Sequence, residues 1–115
     1  MNQFTHDGTY NIEHFYPQKP EGTMEADPAT LNVVDNIGNL LAISFRTNSK
    51  LGNLSPKKKL EKLKGDLKRE IQNQPHIQDF IDNYEASASS WSKKTIAHRA
   101  KEIATEAYRK VWKIG

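Results

Sequence analysis

Tyr10-Asn11-Ile12-Glu13-His14-Phe15-Tyr16-Pro17-Gln18 is the stretch on which the fold turns. Its first seven residues are rich in aromatic and β-branched side chains and halt at a proline, so the segment reads as a short strand. Residues 1–9 carry little apolar content and read as a lead-in. Downstream, Gln18 to Thr30 holds Pro20, Gly22, Pro28 and the acids Glu21, Glu25 and Asp27. That is a long polar loop, and such loops are functional or disordered. Val33-Val34 through Ile43 is a second strand-like stretch, interrupted by Gly38-Asn39, a turn or bulge signal.

From Ser44 onward the apolar period changes from two to 3.6. Ser55-Pro56 is a helix start, with serine as N-cap and proline at the first helical position. Leu60, Leu63, Leu67 and Ile71 follow as one stripe, and Pro75 opens another helix with Ile77, Phe80, Ile81 and Tyr84 on one face. Ser92 caps a last helix between the staple residues Trp91 and Ile96. Its buried face is expected to continue through Ala100, Ile103, Ala107 and Val111. Two strands followed by helices make an α+β chain, and 115 residues suffice for one core but not two.

The chain has no cysteine, which excludes a disulfide scaffold, a thiol nucleophile and a cysteine-ligated zinc site. No apolar run is long enough to cross a bilayer and no signal peptide opens the chain, so a cytoplasmic location is expected. Residues 1–48 hold two basic and six acidic side chains, whereas residues 49–115 hold fifteen and eight. A basic back half fits a polyanion partner, or an ordinary lysine-rich helical surface.

Glu13-His14, Gly38-Asn39-Leu40 and Asn48 form a chemically sufficient set. Histidine takes a proton near neutral pH. Carboxylate and carboxamide oxygens are hard ligands suited to magnesium or manganese. A base and a divalent cation are the two devices that phosphodiester hydrolysis requires. Read singly, His14 could be a hydrogen-bonded core histidine, Asn39 a turn residue and Asn48 a surface or capping asparagine.

Glu13-His14-Phe15-Tyr16-Pro17-Gln18 resembles the acidic-His-φ-φ-Pro-Gln strand of HNH nucleases, with Asn39 and Asn48 at matching spacing. The set is most similar to the C-terminal HNH domain of GmrSD-type modification-dependent restriction enzymes. That family carries the strand motif, Gly-Asn-Leu, an asparagine before a lysine-rich helix, and then the counterparts of Trp91, Ile96-Ala97-His98-Arg99 and Trp112. The resemblance covers about Tyr10 to Trp112. It implies a single HNH domain over 1–115, with a ββα-metal core at about 10–70 and a helical subdomain at about 75–114. His14 is then the general base, Asn39 the residue that fixes the loop and orients it, and Glu13 and Asn48 the ligands of magnesium or manganese. The substrate implied is double-stranded DNA, the role restriction and phage defence. In the resembling enzymes a nucleotide-hydrolysing, modification-sensing domain or subunit precedes this one, so the chain is expected to be either a fragment or a stand-alone relative. Because neighbouring strand residues face opposite ways, Glu13 and His14 share a site only if the strand is irregular near Pro17.

Lys57, Lys58 and Lys59 occupy the first turn of the Ser55-Pro56 helix, where the helix dipole disfavours cations. Phosphate contact is a candidate benefit, a solvated basic face the alternative. Arg99 is a further DNA-binding candidate, or a support for the last helix together with His98. Trp91, Trp112 and Tyr108 read as core. The rival functions are a non-catalytic DNA-binding or tethering domain, against which the intact His14 and Asn48 argue, and a helical protein-interaction domain.

Overall fold

The opening motif forms β1 (Tyr10–His14), which pairs antiparallel with β2 (Leu40–Ser44) in a two-stranded sheet. The computed structural model describes residues 10–20 and 24–114, with side chains as far as Lys110. The lead-in over 1–9, Glu21, Gly22 and the side chains of Val111 and Trp112 lie outside the described residues. The register sets Glu13 opposite Leu41 and His14 opposite Leu40. Leu41 and Ile43 are buried and Ala42 is exposed, the alternation of a sheet covered on one face.

The second strand is shorter than its apolar pattern predicts. The chain over 32–35 turns, and Ile37–Asn39 makes one turn of 3-10 helix. Asn36 diverts it locally, its side-chain oxygen accepting from Gly38 N at 2.8 Å. Gly38 is required by a neighbour and not by a turn. A Cβ there would lie 1.9 Å from the carbonyl oxygen of Ile96, so only glycine lets the last helix press on this turn.

The described part of the polar loop is fastened down. It carries a short helix, α1 (Pro28–Leu31). Asp27 N donates to the Tyr16 hydroxyl at 2.8 Å, and the buried Thr30 hydroxyl accepts from Lys93 N at 3.1 Å.

Ser44 ends β2 and caps α2 (Phe45–Leu51), its hydroxyl accepting from Thr47 N at 3.2 Å. The chain leaves α2 through Gly52, whose φ of +53° suits glycine. Ser55 caps α3 (Pro56–Lys64) in the same way, accepting from Lys58 N at 3.3 Å. The helix stops at Gly65, so Leu67 and Ile71 are buried from turns and not from a continuing helix. α4 (Pro75–Tyr84) buries Ile77, Phe80 and Ile81. α5 (Lys93–Ile114) starts at Ser92, with Trp91 and Ile96 buried on either side of it.

The buried face of α5 runs out earlier than expected. Ala100 and Ile103 are half-buried, Ala107 is exposed, and Tyr108 is 64% exposed where a core position was anticipated. Among the described side chains of this helix, Ile96 is buried and Ile103 is the last that is half-buried. Phe15 meets Trp91 and Phe80 edge-on, with ring centroids 4.8 and 4.9 Å apart. Each such pair contributes about 0.5–1.5 kcal/mol beyond its burial. This cluster joins the hairpin to the helices. The result is an α+β fold: a ββα unit of β1, β2 and α2, followed by a helical half.

Candidate active site

β1 ends at His14, and its last two residues line the same cavity of about 210 Å³, together with Gln18, Asn48, Asn53 and Lys59. Asn48 reaches it from α2, which Ser44 caps directly after β2. A larger cavity of about 540 Å³ lies between α4 and α5, but of the motif residues it holds only Arg99. The motif decides between them: the smaller cavity gathers Glu13, His14, Gln18 and Asn48, whereas none of these lines the larger one.

His14 Nε2 lies 2.8 Å from Asp35 Oδ1. An ionised carboxylate only accepts, so Nε2 is the donor, and in the neutral imidazole the lone pair is then on Nδ1. The base candidate thus has an orienting partner that sequence reasoning missed. Asp35 sits in the stretch read as strand, and the only available signal was the turn-forming pair Asp35-Asn36.

Asn39 is fully buried and uses every hydrogen-bonding position of its side chain. Oδ1 accepts from Tyr16 N at 2.8 Å and from Trp91 Nε1 at 3.0 Å. Nδ2 donates to Tyr16 O at 3.0 Å and to Val34 O at 2.8 Å. Its backbone carbonyl also accepts from Phe15 N at 2.9 Å. Asn39 therefore grips the two residues that follow His14 and ties them to the helical half. It touches no reacting group in this arrangement and is a positioning residue.

Glu13 is 5% exposed and Lys59 1%. Lys59 Nζ lies 2.5 Å from Glu13 Oε2 and donates to the carbonyl of His14 at 2.6 Å. The contact with Glu13 is a buried, charge-assisted pair of an ammonium and a carboxylate oxygen. Burial raises the Glu13 carboxyl above its ordinary value, with Lys59 pulling the other way. Burial likewise lowers the Lys59 ammonium, with Glu13 opposing.

This corrects the phosphate-binding assignment of Lys59. Lys57 and Lys58 are exposed, but Lys59 falls four residues before Leu63 on the inward face of α3. Helical spacing carried that signal; the run of three lysines masked it. Arg99 is also committed elsewhere. It donates to the carbonyls of Gly38 and Leu40 at 3.1 and 2.7 Å and stacks on Phe80, its carbon 4.8 Å from the ring centre. Arg99 thus supports the packing of α5 on the Gly38 turn, and it also lines the larger cavity. His98 faces Glu102 at 3.4 Å on the exposed side.

Among the described residues, no three His, Cys, Asp or Glu side chains gather to hold a metal ion. The side-chain oxygen donors that line the cavity are the Glu13 carboxylate and the carboxamides of Gln18, Asn48 and Asn53. The Glu13 carboxylate and the neutral Asn48 oxygen suit a hard divalent cation whose remaining ligands come from water and phosphate.

A β-hairpin that ends in His14, followed by a helix whose Asn48 lines the same cavity, is a ββα arrangement. The family model for the C-terminal domain of GmrSD restriction endonucleases matches residues 1–106, and the chain belongs to that family. It is therefore a restriction-endonuclease-related nuclease domain, with DNA as the substrate the family implies. No curated protein and no solved structure matches the chain.

Proposed function

We propose that this domain hydrolyses phosphodiester bonds of double-stranded DNA with His14 as general base, in restriction and phage defence. One observation carries the reading: His14, with Asp35 on its Nε2, lines the same cavity as Glu13 and Asn48. Proton transfer of this kind supplies typically 10²–10⁴-fold.

In this mechanism His14 Nδ1 takes a proton from the attacking water, and Asp35 steadies the imidazolium that results. Asn39 holds the chain at Phe15 and Tyr16, so the ring stays in place while charge develops. Glu13 and Asn48 would hold magnesium or manganese, which when bound stabilises charge on the phosphate and the leaving 3′-oxygen. Products with 5′-phosphate and 3′-hydroxyl ends follow. Lys57 and Lys58 remain as phosphate contacts, exposed on the first turn of α3. Sequence and modification preference, and any nucleotide dependence, belong to a preceding nucleotide-hydrolysing domain or subunit. No described helix is long and apolar enough to cross a membrane, and the reading places the protein with its substrate in the cytoplasm.

The test is nicking of supercoiled plasmid with magnesium or manganese, against the same reaction in chelator. His14→Ala should lose at least a hundredfold in rate while keeping its fold and DNA affinity. Cleavage by the variant at the parental rate would remove His14 as the base.

A further inference from the structure

Lys59 occupies an unusual position for a lysine. Its ammonium is buried at the floor of the candidate site, against the one carboxylate there and against the carbonyl of the base itself. Here the ammonium is shared: it donates to His14 O at 2.6 Å and is held against Glu13 Oε2 at 2.5 Å, so the charge of that buried carboxylate is balanced by Lys59. Other cations do not share the position: among the lining residues named for this cavity, Lys59 is the one lysine or arginine.

We propose that Lys59 is a resident stand-in cation, which holds the Glu13 carboxylate in the metal-free protein and must yield that oxygen when a divalent cation binds. The inference rests on the metal-assisted reading above. Its physical basis is that one buried oxygen cannot be fully shared between an ammonium and a dication at contact distance. Their mutual repulsion in a site shielded from water is large. The arrangement solves a problem of the metal-free state, in which a buried carboxylate without a cation would destabilise the strand that carries His14. It does so at a cost in metal affinity. A site so built stays weak for free metal and fills when phosphate oxygens arrive to complete the shell.

Manganese(II) binding, measured by calorimetry on the full chain without DNA, tests the exchange. Lys59→Gln removes the charge and keeps a donor for the His14 carbonyl. It should bind manganese at least tenfold more tightly than the parent, and manganese should raise its melting temperature by more than it raises that of the parent. Adding Glu13→Gln to Lys59→Gln should abolish the gain, which locates it at that carboxylate. Lys59→Arg, which keeps the charge, should bind no more tightly than the parent, and it serves as the comparison if the Gln variant is poorly folded: an Arg variant that binds tenfold tighter overturns the proposal. Equal or weaker binding by a folded Lys59→Gln variant also overturns it, while leaving the nuclease reading intact if the parent cleaves plasmid with metal. Absence of binding by every chain, together with absence of metal-dependent cleavage by the parent, removes the nuclease reading and this inference with it.

Discussion

Two buried polar clusters lie side by side at the end of the hairpin, and they are built on opposite principles. Around Asn39 every donor and acceptor is matched, and no charge is present. Around Glu13 and Lys59 two opposite charges are buried in contact. A satisfied neutral network rigidifies, whereas a buried ion pair leaves an uncompensated charge when either partner is removed. The first cluster is the frame and the second the charged wall of the cavity, and the chain between them, from Glu13 to Tyr16, carries the candidate base.

The comparison breaks most severely at Asn39. Asn39→Ala strands Tyr16 N, Tyr16 O, Val34 O and Trp91 Nε1 at once, and each unsatisfied buried group costs about 1–3 kcal/mol. A loss of about 4 kcal/mol or more is expected in denaturant unfolding, and Asn39→Asp should recover part of it through the retained acceptor. A loss below about 1 kcal/mol would show that the frame does not depend on this residue.

At the charged cluster the expected result is non-additive. Lys59→Met alone leaves a buried, unpaired carboxylate and should cost about 3–5 kcal/mol. The double variant Glu13→Gln, Lys59→Met should regain most of that loss, and it should be inactive with metal. Simple additivity in a double-mutant cycle would mean that the two side chains are not coupled.

The exposed lysines sharpen the contrast. Replacing Lys57 and Lys58 with Gln should make the dependence of log DNA affinity on log salt shallower by roughly 0.9 per lost contact, so by up to about 2 units. Melting should be unchanged or slightly higher, because two cations leave a helix start. Lys59→Gln should do the reverse, altering stability and leaving the salt slope alone.

The smallest effect lies at Tyr84, outside both clusters. The Tyr84 hydroxyl donates to Glu102, and partial burial together with that contact pushes its pKa from 10.0 up to about 12. The folded state therefore keeps a proton that the unfolded chain loses near pH 10. That increment of stability is present below pH 10 and is lost as pH rises toward 12. Tyr84→Phe should show a shallower alkaline decline over this window, measured by thermal unfolding at stepped pH.

Much of this arrangement was legible in the chain. The strand of the Glu13-His14 motif, the cap at Ser55, the start of the last helix after Ser92 and the stripe through Leu60 and Leu63 follow from local chemistry, which depends on neighbours within a few residues. What stayed hidden depends on partners distant in sequence. Gly38 signalled a turn, but its reason is the carbonyl of Ile96, 58 residues away. The shortening of β2 came from Asn36, a local competitor whose effect the apolar run concealed. Asp35 gained meaning only when the fold brought it to His14. Lys59 was the one misreading that spacing could have prevented, since it shares a face with Leu63.

The bond from Trp91 to Asn39 has a practical consequence. The indole sits among Phe15, Phe80 and Tyr84 with its N–H held by the frame of the site, while the other tryptophan lies at position 112 near the end of the chain. With Trp112→Phe in place, the protein carries a single tryptophan, bonded to the residue that grips the chain behind the candidate base. Its emission reads the state of that grip directly, so loosening of the hairpin can be followed optically without a label and before any bond in DNA is cut.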